Sequence, residues 1–296
     1  MTLRRRFRRS VSDLLLRVTE RITRRHLEEA RQALAEVKRS AELARDDAVR
    51  HLLQTRLLLS LRLWQSMLPS VVSPPAMTSS DFATDLQRLE QLHPELFPRW
   101  RQINLVDNPI EYAQRPSGSC SVGLGQNDRA FAGFIAPYLS GRVLDLGCGP
   151  QATPSYLCGY PTQLISGVDP LEPFEPHPFQ FHRGFGEFLP WGDQTFDVVV
   201  NATSLDHSLS LDHVTSEIIR VLRPGGMLLV WEGFVKNSPP YRPSDPNLQP
   251  VDKFHLFHFD EPWFEAYFSS AFEVAEKLAL DESSNYFYAL RLKERR

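Results

Sequence analysis

The chain has 296 residues, 42% of them apolar and 23% charged, a balance typical of globular proteins with one or two domains. No run of 18 residues is apolar enough to span a membrane, and the basic start lacks a secretory cleavage site. The chain has three cysteines and no CxxC pair, which favours neither a disulfide framework nor a zinc ribbon. These features predict a cytoplasmic protein. The net charge of −3 hides an asymmetry, because residues 1–70 hold 16 Lys and Arg against 8 Asp and Glu, while all 15 glycines lie at or after Gly118.

Residues 1–68 are predicted to form a helical arm, because they contain neither glycine nor proline. Apolar residues in this arm alternate spacings of four and three, at Ala30, Leu34, Val37, Ala41, Ala44 and Ala48. That heptad pattern is typical of a coiled coil, and a lone helix cannot bury it. We expect a homo-oligomer through this arm, packing on another protein, or packing on the acidic second half. A solvated charged helix is the simpler alternative.

The start of the arm is strongly basic, with Arg4, Arg5, Arg6, Arg8 and Arg9. Arginines beside a leucine run suit peripheral contact with an anionic membrane surface. Nucleic acid is not favoured as a partner, because the arginines are not interleaved with stacking aromatics and residues 71–296 carry a net charge of −11.

Residues 69–124 are predicted to be a linker and cap segment. The stretch 69–80 is rich in Pro and Ser, 81–92 has the apolar spacing of a short helix, and 101–124 is expected to be irregular. The third segment is 125–296, and an amphipathic helix is predicted near its start, at 127–139.

The chemistry is concentrated where an apolar strand, Arg142–Leu146, runs into the glycine turn Gly147–Pro150. Glycines let a backbone approach a ligand closely. Residues 152–157 are expected to open a short helix whose amide end faces that ligand. A second apolar strand ends at Asp169, whose carboxylate is placed to bind the two hydroxyls of a ribose.

Two classes of nucleoside cofactor share this pattern. Gly147, Gly149 and Ala152 satisfy the dinucleotide fingerprint GxGxxA, so NAD is one alternative. Asp145 favours the other class, because an anion there suits the ammonium group of an amino acid. Pro150 also removes an amide that a pyrophosphate would use.

VLDLGCGP at 143–150 resembles the first motif of the class I methyltransferases that use S-adenosylmethionine. Segments 186–191, 194–201 and 218–230 resemble later motifs of that family in the same order, and the resemblance covers most of 125–293. It implies a methyltransferase domain over 125–296 with S-adenosyl-L-methionine as cofactor. The cofactor-binding residues it implies are Asp145, Gly147, Cys148, Gly149, Asp169, Glu187, Phe188 and Asn201. Gln151 and Phe185 depart from the family pattern.

The fold expected is α/β, a Rossmann-like seven-stranded mixed sheet flanked by helices and preceded by the helical segment. Apolar runs predict strands near 142–147, 163–169, 179–183, 195–201, 226–232, 272–279 and 284–293. The first five alternate with helical segments and are therefore expected to be parallel, with the last strand antiparallel in a hairpin.

Candidate acid–base groups lie on two segments. Asp206 and His207 follow the fourth strand, where the methyl group is expected to emerge. His255 and His258 lie in an aromatic, proline-rich insertion that is expected to cover the acceptor. Packing roles for these histidines are an equal alternative. A metal site is not favoured, because no cysteine or tight carboxylate partner is evident.

The function expected is methyl transfer from S-adenosylmethionine to a small molecule or a glycan precursor. The glycan acceptor is suggested by a loose resemblance of the C-terminal region that contains LFHFD at 256–260. The alternative is a non-catalytic scaffold with a degenerate cofactor domain and an oligomerisation or membrane-surface arm.

Overall fold

The computed structural model describes residues 31–32, 34–39, 44–66, 73–115, 126–245, 248–280 and 284–294. The chain divides into two compact units, Met1–His51 and Leu52–Arg296. Described residues of the first unit are helical, and the heptad residues Leu34 and Val37 are exposed. Arg4 to Arg9 and the heptad residues Ala30 and Ala41 lie outside the described residues, so the coiled coil and the membrane contact stay predictions. No helix in the described ranges is both long and apolar enough to cross a bilayer.

The second unit begins with helical residues 52–66, which pack against the sheet domain. Arg56 forms a bidentate ion pair with Glu276, with N–O distances of 2.7 and 3.0 Å, and donates to the Phe134 carbonyl. The Tyr138 hydroxyl donates to the same carboxylate. Trp64 is buried edge-on against Tyr160. This end of the predicted arm is therefore fixed to the sheet domain.

Replacing Arg56 with alanine should lower the free energy of unfolding by about 2 kcal/mol, because it leaves a half-buried carboxylate with fewer charged hydrogen bonds. Denaturant unfolding measures this difference. Arg62→Ala on the same helix is the matched control, because Arg62 is exposed, and should change stability by less than about 0.5 kcal/mol. Equal effects of the two variants would contradict the packing of this helix on Glu276.

The sheet has seven strands in the order β3-β2-β1-β4-β5-β7-β6. Their bounds are β1 Val143–Leu146, β2 Ile165–Asp169, β3 Gln180–Arg183, β4 Phe196–Ala202, β5 Leu222–Gly233, β6 Phe272–Leu280 and β7 Asn285–Leu292. Strands β1 to β5 pair in parallel, and β7 runs antiparallel to β5 and β6. The predicted Rossmann-like mixed sheet is confirmed. β1 and β2 are buried at every position, as expected for central parallel strands covered on both faces.

The α-helices of the second unit after residue 66 are α1 Phe82–Leu92, α2 Phe97–Gln102, α3 Asn108–Gln114, α4 Gln126–Ile135, α5 Leu211–Val221 and α6 Glu261–Phe268. A π-helical turn, Ile103–Asp107, joins α2 to α3. The expectation of an irregular cap was therefore wrong over its first part, where residues 97–114 are continuously helical. Each α-helix of this pair has a proline in its first turn, a position that needs no amide donor.

The helix expected after the glycine turn is reduced to a three-residue 3-10 turn, Ser155–Leu157. Pro150 and Pro154 limit backbone torsions and remove amide donors in this stretch. No full helix therefore presents its amide end to a ligand at this point.

Candidate functional site

A cleft lies at the carboxyl ends of β1, β2 and β4, with about 920 Å³ of space that includes the solvent at its mouth. Parallel sheets bind ligands at this edge, where strand order reverses on either side of β1. The strand ends and following turns supply one wall with Gly147, Gly149, Asp169, Gly186, Glu187, Asn201 and His207. The helical segment 97–114 supplies the other wall.

The glycine turn after β1 has two residues in the left-handed region. Gly147 has a φ of 79° and Gly149 a φ of 72°. A Cβ added to Gly147 would lie 2.2 Å from the Ser204 Oγ atom. The backbone amides of Gly147 and Cys148 both donate to the Val168 carbonyl, which fixes the turn on β2. The first glycine is therefore required by both its torsion and its neighbour.

Asp169 ends β2 and lines the cleft. One carboxylate oxygen accepts the Gly149 amide at 2.8 Å, and the other accepts the Leu171 amide at 2.9 Å. A carboxylate has about four acceptor positions, so two remain for a ligand. Burial raises the pKa of Asp169 to about 6, and the two amides oppose that rise.

Because Asp169 has a pKa of about 6, binding of a ribose to it should depend on pH. Hydroxyl donors favour the ionised carboxylate, so we expect the Kd to be constant above about pH 7. As the pH falls through 6, protonation should raise the Kd by up to about tenfold per pH unit. Calorimetric titrations between pH 5 and 8 measure this. In Asp169→Asn, the rise in Kd below about pH 7 should disappear. If the variant keeps the same pH profile, the titrating group is not Asp169.

Asp145 and Cys148 do not line the cleft. Asp145 is fully buried, and both its carboxylate oxygens lie 3.1 Å from the Tyr156 hydroxyl that donates to them. Burial raises the pKa of Asp145 well above its usual range. The Cys148 thiol is fully buried, and burial raises its pKa too. Their predicted contact with a cofactor stays a prediction, and the structure places both behind the surface of the turn.

Glu187 and Asn201 are buried at the wall of the cleft, whereas Phe188 lines a different pocket. A Glu187 oxygen accepts the amides of Leu209 and Ser210, which ties the segment after β3 to the start of α5. Asn201 donates to the Leu146 carbonyl and so joins the ends of β4 and β1. Phe188 packs under Arg88, whose guanidinium carbon lies 3.7 Å from the ring centroid.

The helical wall was missed by sequence reasoning. Its lining residues Trp100, Asn104, Asn108 and Tyr112 recur every four residues and so share one helical face. That spacing is visible in the sequence, although the interpretation as an irregular segment concealed it. The Trp100 indole donates to the His207 carbonyl, which attaches this wall to the loop after β4.

His207 lines the cleft and is held by that wall. The Asn104 amide nitrogen donates to the Trp100 carbonyl, and its amide oxygen lies 3.0 Å from His207 Nδ1. The Asn108 amide nitrogen is farther from the same atom, at 3.4 Å, so we assign the ring proton to Nδ1 and the lone pair to Nε2. Burial lowers the pKa of His207 to about 4, so the ring is neutral at pH 7.

The structure brings the other three predicted acid–base residues next to His207. The ring centroids of His207 and His255 lie 4.9 Å apart, as do those of His255 and His258. Asp206 is buried at 6% exposure, and burial raises its pKa to about 6. Asp252 accepts from His255 at 2.9 Å and from His258 at 3.0 Å. These groups lie behind His207 and do not line the cleft themselves.

The arrangement can bind a nucleoside by its ribose and hold a second molecule against a neutral imidazole.

Residues 144–230 match the family model of the methyltransferase domain. Phthiotriol/phenolphthiotriol dimycocerosates methyltransferase 1 of Mycobacterium ulcerans is 32% identical over 122 residues, covering 34% of this chain and 45% of that protein. Glycine/sarcosine/dimethylglycine N-methyltransferase of Actinopolyspora halophila is 28% identical over 163 residues, covering 51% and 28%.

Among solved structures, 1,6-didemethyltoxoflavin-N1-methyltransferase of Burkholderia thailandensis, with bound 1,6-didemethyltoxoflavin and S-adenosylhomocysteine, aligns with a TM-score of 0.46. The identity is 16%, over 74% of this chain and 95% of that one. The chain spans less than half the length of the two relatives named above.

Proposed function

Because residues 144–230 place the chain in the class I S-adenosylmethionine-dependent methyltransferase family, we propose that it transfers the methyl group of S-adenosylmethionine to a small molecule. The observation that carries this proposal is the position of Asp169. Its carboxylate is fixed by two amides at the end of β2 and keeps acceptor positions facing the cleft.

The residues of the cleft fit this cofactor. Asp169 would accept from the ribose hydroxyls, and the glycine turn leaves room for the amino-acid portion beside Asn201. Leu171 and Phe185 offer apolar surface for the adenine. Phe185 itself is held in place by the rings of Phe82 and Trp100.

The sulfonium of S-adenosylmethionine supplies an activated methyl group that leaves by in-line displacement. The protein therefore contributes alignment and exclusion of water, and it needs no covalent intermediate. Trp100 and Asn108 on the helical wall face the strand ends across the cleft and would confine the acceptor there. His207 also lines the cleft and would contact the acceptor beside the helical wall.

The acceptor is proposed at the level of a small molecule. One relative is named for glycine, sarcosine and dimethylglycine and the other for phthiotriol and phenolphthiotriol dimycocerosates, so the two favour no single acceptor atom. A glycan precursor is a narrower candidate that rests on the LFHFD region. Described residues of that region do not line the cleft, and Tyr241 and Phe257 stack on each other with centroids 3.8 Å apart.

Calorimetric titration with S-adenosylmethionine, S-adenosylhomocysteine and NAD tests the cofactor assignment. We expect saturable micromolar binding of the two sulfur ligands and none of NAD. Absence of binding at millimolar concentration would contradict the proposal. Release of S-adenosylhomocysteine in the presence of hydroxyl- and amine-bearing candidate acceptors then tests turnover. A non-catalytic scaffold would bind the cofactor, or fail to bind it, without releasing product for any acceptor.

A further inference from the structure

We infer that Asp206, His207 and His255 form a binding site for a divalent cation that accepts mixed nitrogen and oxygen ligands, such as Zn²⁺ or Co²⁺. One ligand atom from each residue lies within 4.8 Å of the other two. The His207 Nε2 atom is 3.9 Å from Asp206 Oδ1, and the His255 Nε2 atom is 3.8 Å from Asp206 Oδ2. These distances are too long for direct hydrogen bonds.

The protons of both imidazoles are committed on the far side of each ring. The His207 Nδ1 atom donates to the Asn104 amide oxygen, and the His255 Nδ1 atom faces both oxygens of Asp252 at 2.9 and 3.0 Å. A histidine that ligates a metal commonly donates its other nitrogen to a carboxylate or carbonyl in this way. Two Nε2 lone pairs therefore face one carboxylate.

One oxygen of the carboxylate at the centre of this group lacks a hydrogen-bond donor within the described ranges. Asp206 is 94% buried, and its Oδ1 atom has no hydrogen-bond partner among the residues that the structure describes. Glu232, at the end of β5, is 1% exposed, and its Oε2 atom is likewise unpartnered within the described ranges. A buried carboxylate oxygen without a donor is costly, and a cation between Asp206 and the two imidazoles would compensate the Asp206 Oδ1 atom.

The chemistry of the ligands indicates the class of cation. Two imidazoles and one carboxylate suit zinc and the neighbouring transition metals, whereas magnesium and calcium prefer oxygen alone. Such ligands lie about 2.0–2.2 Å from the metal and therefore about 3.4 Å from one another in a tetrahedral site, so side-chain rotation must shorten the present separations, which reach up to 4.8 Å, to complete the site. Three protein ligands leave a coordination position open, and of the three residues only His207 lines the cleft. That open position could take an acceptor oxygen, a role that rests on the proposed methyl transfer, whereas the metal site does not.

A second group, Asp252, His255 and His258, also places its ligand atoms within 4.8 Å of one another. In that group the Asp252 oxygens already accept hydrogen bonds from both imidazoles at 2.9 to 3.0 Å. Its polar atoms are satisfied by one another, and it is exposed at Asp252. We therefore assign Asp252 to orienting His255 and give His258 no ligand role.

The test is titration of the chelator-treated full chain with Zn²⁺, Co²⁺ and Mg²⁺, by calorimetry and by the visible absorption of bound Co²⁺. We expect one Zn²⁺ or Co²⁺ per chain with a Kd of 10 μM or tighter, and Mg²⁺ at least about 100-fold weaker. His207→Ala and His255→Ala should each weaken Zn²⁺ binding at least about 100-fold, and Asp252→Asn about 10-fold. His258→Ala is the matched control and should bind within threefold of wild type. Thermal unfolding without metal verifies that each variant is folded.

No Zn²⁺ binding to the wild-type chain would overturn the site. Loss of binding in His258→Ala with retention in His207→Ala would overturn it in favour of the outer group. Mg²⁺ binding as tight as Zn²⁺ would overturn the ligand set. None of these titrations contains S-adenosylmethionine, so their failure is independent of the proposed transferase activity.

Discussion

Replacing Asp169 with alanine should weaken S-adenosylmethionine binding at least about 100-fold. Each hydrogen bond from a ribose hydroxyl to a charged acceptor contributes about 1.5–3 kcal/mol, and two such bonds exceed the roughly 2.7 kcal/mol that 100-fold requires. The variant also frees the amides of Gly149 and Leu171, which the carboxylate holds in position. Calorimetry with S-adenosylmethionine and S-adenosylhomocysteine measures the change.

Two variants separate recognition from folding in this experiment. Asp193→Ala removes a carboxylate whose side chain is 74% exposed and should leave the Kd unchanged. Asp169→Asn keeps the size of the side chain and one acceptor oxygen, so we expect a smaller loss of about tenfold. Wild-type affinity in Asp169→Ala would contradict the assignment of the ribose to β2.

Gly147→Ala should abolish measurable cofactor binding. The new methyl group would lie 2.2 Å from Ser204 Oγ and 2.6 Å from its Cβ, at a position where φ is 79°. Ser204 cannot move freely, because its hydroxyl donates to the Leu146 carbonyl and accepts from Asn201. The clash should therefore displace the turn that faces the cofactor. Calorimetry gives the binding loss, and thermal unfolding gives the accompanying loss of stability.

Gly225→Ala is the matched control for backbone strain. Gly225 has a φ of 73°, but an added Cβ has nothing within 4 Å. This variant should lower stability by about 1 kcal/mol and leave the Kd within threefold of wild type. Adding Ser204→Gly to Gly147→Ala removes the clashing atoms and should recover part of the binding. Equal binding losses in the two alanine variants would assign the effect to strain alone.

The sheet could be predicted because its signals are local. Buried strands such as β2 are short apolar runs bounded by turn residues, and the glycine motif fixes where β1 ends. The prediction of an irregular segment was wrong over residues 101–114, where Pro109 lies in the first turn of a helix rather than ending one. The short helix after the glycine turn was also predicted wrongly, because Pro154 leaves only a single 3-10 turn.

The geometry of the cleft could be predicted where the residues are close in sequence. Asp169 and Gly147 belong to local motifs whose geometry is nearly fixed by strand, turn and strand. The cofactor contact of Asp145 stays a prediction; its burial and its hydrogen bond from Tyr156, a residue of the following connection, were not indicated by the sequence. The neighbours of His207 come from about 100 residues before it and about 50 after it, and such contacts depend on tertiary packing.

The uneven distribution of glycine follows from the same organisation. The glycines lie mainly in the part of the chain that turns tightly between strands and forms the cleft, for example at Gly147 and Gly149. Of the glycine-free segment, residues 52–66 pack on the sheet domain, as the Arg56–Glu276 ion pair shows. We retain oligomerisation as a proposal for the residues before them, and comparing the solution mass of the full chain with that of Arg56→Ala and of Leu34→Glu would test it.

The central claim is that the cleft binds S-adenosylmethionine with its ribose on Asp169. A crystal structure of the full chain with S-adenosylhomocysteine tests it most directly. We predict both ribose hydroxyls within 3.2 Å of the Asp169 carboxylate, and the sulfur atom on the side of the cleft lined by Asn201 and His207. A ribose bound away from Asp169, or a ligand bound outside this cleft, would contradict the claim.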